Sequence, residues 1–167
     1  DIIRQIEECL SKGLQLFPGG EHLFALEADL AHVLEDEPRA VASLEAAVRA
    51  SPGRPFVAVR LAATYRRKNR TEDALRVLQA CLQLSPSSKE CHLEIAHVLM
   101  DQSEFAHRAE IQHHLKRSFT EGDANFDAQF WYARHQLLYG EIEQGLTQFT
   151  KLADRRTAPV YRNRIRG

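Results

Sequence analysis

The sequence predicts an all-α fold in which antiparallel helix pairs stack along the chain. Three observations support this prediction. Pro18, Pro52 and Pro86 stand 34 residues apart, the apolar residues between them recur at helical spacing, and apolar or small residues recur at fixed distances before each proline. Internal periods of this length are typical of helical repeat architectures.

A repeated pattern of residues before each proline identifies the second helix of each pair. Apolar or small residues stand twelve, eight and five positions before the proline. They are Ile6, Ala40 and Ala74, then Leu10, Leu44 and Leu78, then Gly13, Ala47 and Cys81. Because proline lacks the amide hydrogen and disfavours helix for the residue before it, each proline ends a helix. Each interval therefore has room for two helices and two short turns.

Residues 55–88 resemble a tetratricopeptide repeat (TPR). The family pattern places a small residue and then an aromatic one in the first helix, and alanine, a large apolar residue, a small residue and proline in the second. These positions hold Ala62, Tyr65, Ala74, Leu78, Cys81 and Pro86, and Asn69 stands where glycine is usual. Residues 21–54 match less fully, with Ala31 in the aromatic position. The resemblance implies a right-handed α-solenoid whose concave face is lined by the first helix of each pair.

This register divides the chain into a helical array and a short tail. Residues 1–20 supply only a second helix, so we expect its partner to precede Asp1 in a longer protein. Complete repeats are predicted at 21–54, 55–88, 89–125 and 126–157, and a basic linker or the start of a following domain at 158–167.

The third repeat is irregular. Its second helix has Arg108, or Ala109 after a one-residue slip, in a small position, and it lacks a final proline. The fourth repeat begins three residues later than a strict period allows. We predict that these extra residues lie near "SFTEGDAN", in a lengthened second helix and loop.

Composition excludes several classes of protein. The chain has 167 residues, of which 44% are hydrophobic, and its formal net charge is −1. The overall charge therefore gives no electrostatic attraction to nucleic acid or to a lipid surface. No apolar run approaches the length that a bilayer requires, and we expect no membrane association and a cytoplasmic location. Three cysteines without a C-x-x-C motif indicate reduced thiols, with Cys9 and Cys81 as small buried hydrophobes.

The resemblance implies a peptide-binding or protein-binding groove formed by first-helix residues. The candidate groove residues are His22, Asp29, His32, Phe56, Val59, Arg66, Arg67, Glu90, His97, Asp127, Phe130 and Arg134. TPR proteins that hold chaperone C-termini use a Lys or Arg and Asn clamp, whereas the matching positions here include Ala25 and Val59. Chaperone tails are therefore disfavoured as partners. Arg66 and Arg67 could pair with an acidic peptide, or they could be solvated charges near a turn.

No catalytic or metal-binding motif stands out. His92 and His97 are five residues apart, whereas ligand pairs on one helix face are three or four apart. The chain has no nucleophile elbow, no phosphate-binding glycine loop and no H-E-x-x-H motif. We therefore expect a non-catalytic scaffold without metal or cofactor, whose partner is a protein or peptide.

Two alternatives remain open. Basic residues cluster at 66–70 and at 155–166, which would suit nucleic acid, with Tyr161 available for stacking. The array could instead be a spacer or self-association module of a larger enzyme or signalling protein. Residues 1–17 should form an amphipathic helix whose apolar strip near Ile2, Ile3 and Ile6 is exposed, so the chain could form a homo-oligomer through it.

Overall fold

A computed structural model describes residues 2–120 and 125–157, with side chains as far as Asp154. Every regular element in these ranges is an α-helix, which confirms the all-α prediction. The helices are α1 (Ile2–Leu16), α2 (Glu21–Val33), α3 (Glu37–Ala50), α4 (Pro55–Arg67), α5 (Thr71–Leu84), α6 (Lys89–Ser103), α7 (Arg108–Arg117), α8 (Phe126–Tyr139) and α9 (Ile142–Thr157). The predicted basic segment 158–167 lies outside the described residues.

The chain divides into two compact units after Glu94. Unit 1 contains α1 to α5 and the start of α6, and unit 2 contains the rest of α6 and α7 to α9. In unit 1, α2 packs on α3, α3 on α4 and α4 on α5, and in unit 2, α7 packs on α8 and α8 on α9. Turns of three residues, 34–36 and 68–70, join α2 to α3 and α4 to α5, so the helices of each pair run antiparallel.

Small side chains recur at one buried position of the first helices. Ala28, Ala62, Ala96 and Ala133 occupy the same position in four first helices and are at most 2% exposed. Large side chains at these positions would hold the helix axes apart. The repeat of small residues in the sequence is therefore a packing requirement of the helix pairs.

Tyr65 fills the aromatic position and links α4 to α3. Its hydroxyl donates a 2.6 Å hydrogen bond to Glu45 Oε1, and the Arg70 guanidinium lies 4.3 Å from the ring centroid. Burial, assisted by the Glu45 carboxylate, raises the pKa of Tyr65 to about 12. The phenol is therefore a hydrogen-bond donor throughout the neutral range.

The irregular third repeat gains its extra residues before α7, and the predicted lengthened second helix is wrong. First helix α6 has 15 residues where α2 and α4 have 13, and the turn 104–107 is one residue longer than its counterparts. Helix α7 has only 10 residues. The extra length before the buried residues of α7 therefore lies in α6 and its turn. Eight residues, 118–125, also separate α7 from α8, whereas four, 51–54, separate α3 from α4.

The shift also changes which residues of α7 face the core. Ile111, Leu115 and Ser118 are fully buried, with the spacing of Ala40, Leu44 and Ala47 in α3. Arg108 and Ala109 are exposed, so neither occupies the small position that the sequence register gave them.

The cysteines differ in burial. Cys81 and Cys91 are buried, as predicted for Cys81, but Cys9 is exposed. The prediction for Cys9 is wrong because the side of α1 that carries it faces solvent.

The turn residues before α3 and α5 stand at the position where the family usually has glycine. Glu35 and Asn69 occupy this position and have φ of 58° and 57°. A left-handed backbone conformation destabilises a residue that has a side chain by about 1–2 kcal/mol. Glycine removes this strain, but its greater freedom in the unfolded chain cancels part of the gain.

We expect Glu35→Gly to raise the free energy of unfolding by roughly 0.5–1 kcal/mol in urea denaturation. Asn69→Gly should gain less, because asparagine tolerates this conformation, and an equal gain at both positions would contradict the explanation.

The burial of His135 predicts that the stability of unit 2 depends on pH. Its side chain is 1% exposed, and neither ring nitrogen has a partner of good hydrogen-bond geometry among the described residues. Burial lowers the pKa of His135; Arg134 acts in the same direction, while Glu104 and the backbone of Arg108 oppose it.

Because the folded state disfavours the proton, the unfolded state binds more protons below a pH of about 6.5. We expect the contribution of His135 to the free energy of unfolding to be constant above that pH and to fall below it, with a limiting slope of about 1.4 kcal/mol per pH unit. Urea titrations at several pH values, followed by the fluorescence of Trp131, measure the slope. His135→Leu should flatten it, and an unchanged slope would show that His135 does not titrate with unfolding.

Candidate functional site: a groove between first helices

Side chains of α2 and α4 meet across a groove on unit 1. The rings of His22 and Phe56 lie 5.7 Å apart between centroids. Asp29 forms an ion pair with Arg60, and the Arg60 guanidinium lies 5.5 Å from the Phe56 ring centroid. We call this surface the unit 1 groove. It has an aromatic end at His22 and Phe56 and an ion pair across its middle.

A cavity of about 190 Å³ opens in this groove beyond the ion pair. Its wall combines polar side chains of α2 and α4 with small and apolar side chains of α2, α3 and α4. The lining residues are Ala28, Asp29, His32, Ala40, Leu44, Arg60, Ala63, Thr64 and Arg67. Asp29, His32 and Arg67 are predicted groove residues that the fold brings together here.

The basic side chains near the cavity differ in their local contacts. Arg67 is exposed, and its Nη2 donates a long hydrogen bond of 3.4 Å to Thr64 Oγ1. His32 Nδ1 lies 2.9 Å from Glu37 Oε1, and Lys68 Nζ lies 3.3 Å from Glu37 Oε2. The hydrogen bond from Lys68 lowers the pKa of Glu37, so His32 and Lys68 face a carboxylate that is ionised at neutral pH.

Arg66 differs from its neighbour in sequence. Its Nε donates a 2.9 Å hydrogen bond to Glu94 Oε1, and the Glu94 side chain is only 9% exposed. Both residues belong to unit 1. Arg66 is thus part of an internal ion pair, whereas Arg67 lines the cavity.

The remaining predicted residues of unit 1 lie at its surface. Phe56 is 50% exposed, Val59 is half-buried and Glu90 is exposed. Sequence reasoning missed Arg60 and Thr64, which line the cavity. Their spacing from Phe56 and Arg67, four and three residues, places them on the same face of α4, and this spacing was the available signal.

The predicted residues of unit 2 form an aromatic cluster. The His97 and Trp131 ring centroids are 5.5 Å apart in an edge-to-face arrangement. Phe130 lies 5.6 Å from Trp131 and also 5.6 Å from Phe149 of α9. Such contacts are common in aromatic packing, so Phe130 takes part in the packing of α8 against α9.

The two charged residues of α8 that were predicted to bind a partner differ in their contacts. Arg134 makes a bidentate ion pair with Glu104, with an Nη2–Oε2 distance of 3.1 Å, and its guanidinium lies 5.4 Å from the Trp131 ring centroid. Asp127 is exposed in the first turn of α8. The charge of Arg134 is therefore paired within unit 2, whereas Asp127 faces solvent.

The basic stretch 66–70 does not present a block of positive charge. Arg66 pairs with Glu94, Lys68 with Glu37, and Arg70 with Asp73 at 2.8 Å. The side chains at 155–166, the other half of the nucleic-acid hypothesis, lie outside the described residues. Nothing in the described part favours that hypothesis.

The described residues contain neither a metal-site cluster nor a membrane-spanning helix. No group of three or more His, Cys, Asp or Glu residues there could hold a metal ion. No helix in the same ranges combines the length and apolar character needed to cross a bilayer.

No protein-family profile and no curated protein matches the sequence, but solved structures share its fold. A thermophilic TPR protein from Thermus thermophilus gives a TM-score of 0.68 at 19% identity, over 93% of this chain and 84% of its own. YrrB, a TPR protein described as having an unusual peptide-binding site, gives 0.63 at 18% identity, over 95% and 82%. PilW, described as a widely conserved type IV pilus biogenesis factor, gives 0.69 at 19% identity, over 92% and 70%. The chain therefore has the fold of TPR proteins, which confirms the predicted solenoid of helix pairs.

Proposed function

We propose that the chain is a non-catalytic module that binds an extended segment of a partner protein in the unit 1 groove. The observation that carries the proposal is the cavity of about 190 Å³ between first helices α2 and α4. Its mixed lining suits a peptide, since apolar contacts supply affinity while a few polar groups fix orientation. The described peptide-binding site of YrrB, a protein of the same fold, supports this kind of function.

The groove also indicates the chemistry of the segment. Asp29 is paired with Arg60, and Glu37 with Lys68 and a ring nitrogen of His32, so the groove carboxylates already have basic partners. Arg67 is exposed at the cavity and can bind a carboxylate through charge-assisted hydrogen bonds.

Phe56 and His22 can receive an apolar side chain at the other end of the groove. The segment therefore carries an acidic and an apolar residue. Chaperone C-terminal tails are disfavoured as partners, because the clamp positions hold residues such as Ala25, which is buried.

Selection of peptides from a random library by the purified chain, followed by anisotropy titration of the selected sequence, tests the proposal. Arg67→Glu should weaken binding, raising the dissociation constant roughly 10- to 100-fold, because a hydrogen bond to a charged group contributes about 1.5–3 kcal/mol. Phe56→Ala should weaken binding as well, since it removes the aromatic end.

Two exposed residues outside the groove provide controls. Arg76→Glu changes charge in the same way on α5, and Phe105→Ala removes a phenyl ring that is 67% exposed in unit 2. Both should leave affinity unchanged. Failure to select any peptide, or equal losses with the control variants, would contradict the groove as the binding site.

A further inference from the structure

The unit 1 groove runs lengthwise between α2 and α4. Contacts between the two helices follow the same order in both. His22 lies beside Phe56 near the N-terminal ends, and Asp29 pairs with Arg60 farther along. The cavity comes last, where Arg67 in the last turn of α4 lines it. A bound segment therefore has a path along the groove, from the aromatic pair past the ion pair to Arg67.

Phe56, Arg60 and Arg67 share one face of α4. Steps of four and seven residues return to nearly the same angle about the helix axis, because a turn contains about 3.6 residues. The Arg60 guanidinium accordingly lies 5.5 Å from the Phe56 ring centroid, and Arg67 Nη2 donates to Thr64 Oγ1 at 3.4 Å on the same face. An aromatic ring, an ion pair and an exposed guanidinium thus follow one another in a line along α4.

The length of α4 sets the distance between the two ends of the groove. Phe56 and Arg67 are eleven residues apart in this helix, which corresponds to about 16 Å along its axis at about 1.5 Å per residue. The side chain of Arg67 turns back to Thr64, three residues earlier, which brings its guanidinium up to about 4 Å closer to Phe56. A carboxylate bound by Arg67 is therefore about 12–16 Å from an apolar side chain packed on Phe56.

An extended segment matches this distance at one spacing. Its backbone advances about 3.3 Å per residue, and successive side chains point to opposite sides. Two side chains that both point into the groove must therefore be an even number of positions apart. Steps of two, four and six positions cover about 7, 13 and 20 Å. Only the step of four falls within the distance between the ends.

The residue midway between these two points at the ion pair of Asp29 and Arg60. It lies about 7 Å along the segment, and Arg60 lies about 6 Å along α4 from Phe56. The side chain of Asp29 is 55% exposed and that of Arg60 is 28% exposed. A large apolar side chain above them would displace water from both charged groups and replace none of its hydrogen bonds. A small or polar residue therefore fits the middle position.

We infer that the unit 1 groove selects an extended segment in which an acidic residue stands four positions from an apolar residue, with a small or polar residue midway. The inference rests on the proposed peptide binding and deepens it by adding the spacing of the bound residues. The carboxylate binds Arg67, and the apolar side chain packs against Phe56 and His22. The two remaining residues between them point away from the groove and are not selected. The spacing is the same for both directions of the segment, so both orders belong to the class.

A peptide library with fixed spacings tests this inference. Leucine and glutamate are placed two to seven positions apart, in both orders, in otherwise random short peptides from which the purified chain selects. Peptides with a spacing of four should be enriched in at least one order.

Anisotropy titration then measures the affinity of fluorescein-labelled peptides of identical composition. A spacing of four should give a dissociation constant roughly 10-fold lower than a spacing of three or five, because the odd spacings turn the carboxylate away from Arg67 and lose a charge-assisted hydrogen bond. Leucine in place of serine at the middle position should weaken binding.

Exchange of charge between the chain and the peptide tests the acidic end. Arg67→Glu should lose the preference for a spacing of four, and a peptide with lysine in place of glutamate should restore binding to this variant at the same spacing. Arg76→Glu makes the same change on α5, outside the groove, and should leave the preference as it is. Circular dichroism checks that each variant keeps its helical fold.

Equal affinities at all spacings, or a best spacing other than four in both orders, would overturn the inference. If Arg67→Glu and Phe56→Ala still weaken binding of the selected peptides in that case, the proposed peptide binding stands and only the spacing is wrong. If neither variant weakens binding, the proposed function fails as well.

Discussion

Leu78→Ala should lower the free energy of unfolding by about 2–5 kcal/mol. Leu78 lies in α5 and is 0% exposed, at the position that Leu10 and Leu44 occupy in their own second helices. Removing three carbon atoms from a closely packed site loses the transfer free energy of those atoms and leaves a cavity that the surrounding helices fill only partly. Urea denaturation followed by far-ultraviolet circular dichroism measures the loss.

The same helix offers a control for this prediction. Leu84 also lies in α5 but is 62% exposed, so Leu84→Ala removes the same atoms from a largely hydrated site. Its effect should stay within about 0.5–1 kcal/mol, as is usual for surface substitutions. Similar losses for the two variants would mean that the repeat register does not define the core of unit 1.

Gly145→Val should destabilise unit 2 by about 3 kcal/mol. Gly145 occupies the position in α9 that Ala40 and Ala74 hold in α3 and α5. A Cβ atom there would lie 2.8 Å from Leu137 Cγ and 2.9 Å from the Leu137 backbone nitrogen. Because a backbone atom cannot move aside by rotation, α8 and α9 would have to separate.

Fluorescence of Trp131 reports this change, since it is the single tryptophan of the chain and lies in unit 2. The midpoint of its urea transition should fall in the Gly145→Val variant. Gly19→Val is the comparison, because a Cβ at Gly19 meets nothing within 4 Å and should leave the midpoint almost unchanged. A midpoint that is unaltered by Gly145→Val would show that the two helices can move apart without cost.

The helices and most of their core positions could be predicted from the sequence. Ala62, Ala74, Leu78 and Cys81 are at most 2% exposed, as their positions in the repeat imply. The prediction succeeds because a helix pair can pack closely only if small and large side chains recur at fixed places. The periodicity of residue size along the sequence therefore reflects the packing of the helices directly.

The third repeat shows the limit of that reasoning. No proline marks the end of its second helix, so the register depended on a strict period that α6 and its turn do not keep. The apolar pattern around Ile111 and Leu115 fits several registers of a helix. Only packing in unit 2 selects the one in which these two residues are buried.

The groove was predicted as a set of positions but not as a pattern of charge. Sequence reasoning placed Asp29, Arg66 and Arg134 at first-helix positions that face the groove in other TPR proteins. The structure pairs them with Arg60, Glu94 and Glu104, residues that are 31, 28 and 30 positions away in the chain. Separations of this kind, close to one repeat, bring side chains together only when neighbouring repeats stack.

By itself, the sequence determined that this protein is an array of helix pairs, because helix formation and size periodicity are local properties. Only the tertiary structure decided which charges are neutralised and where the cavity opens. Those features depend on atoms contributed by different helices, and their positions are set when the pairs pack against one another.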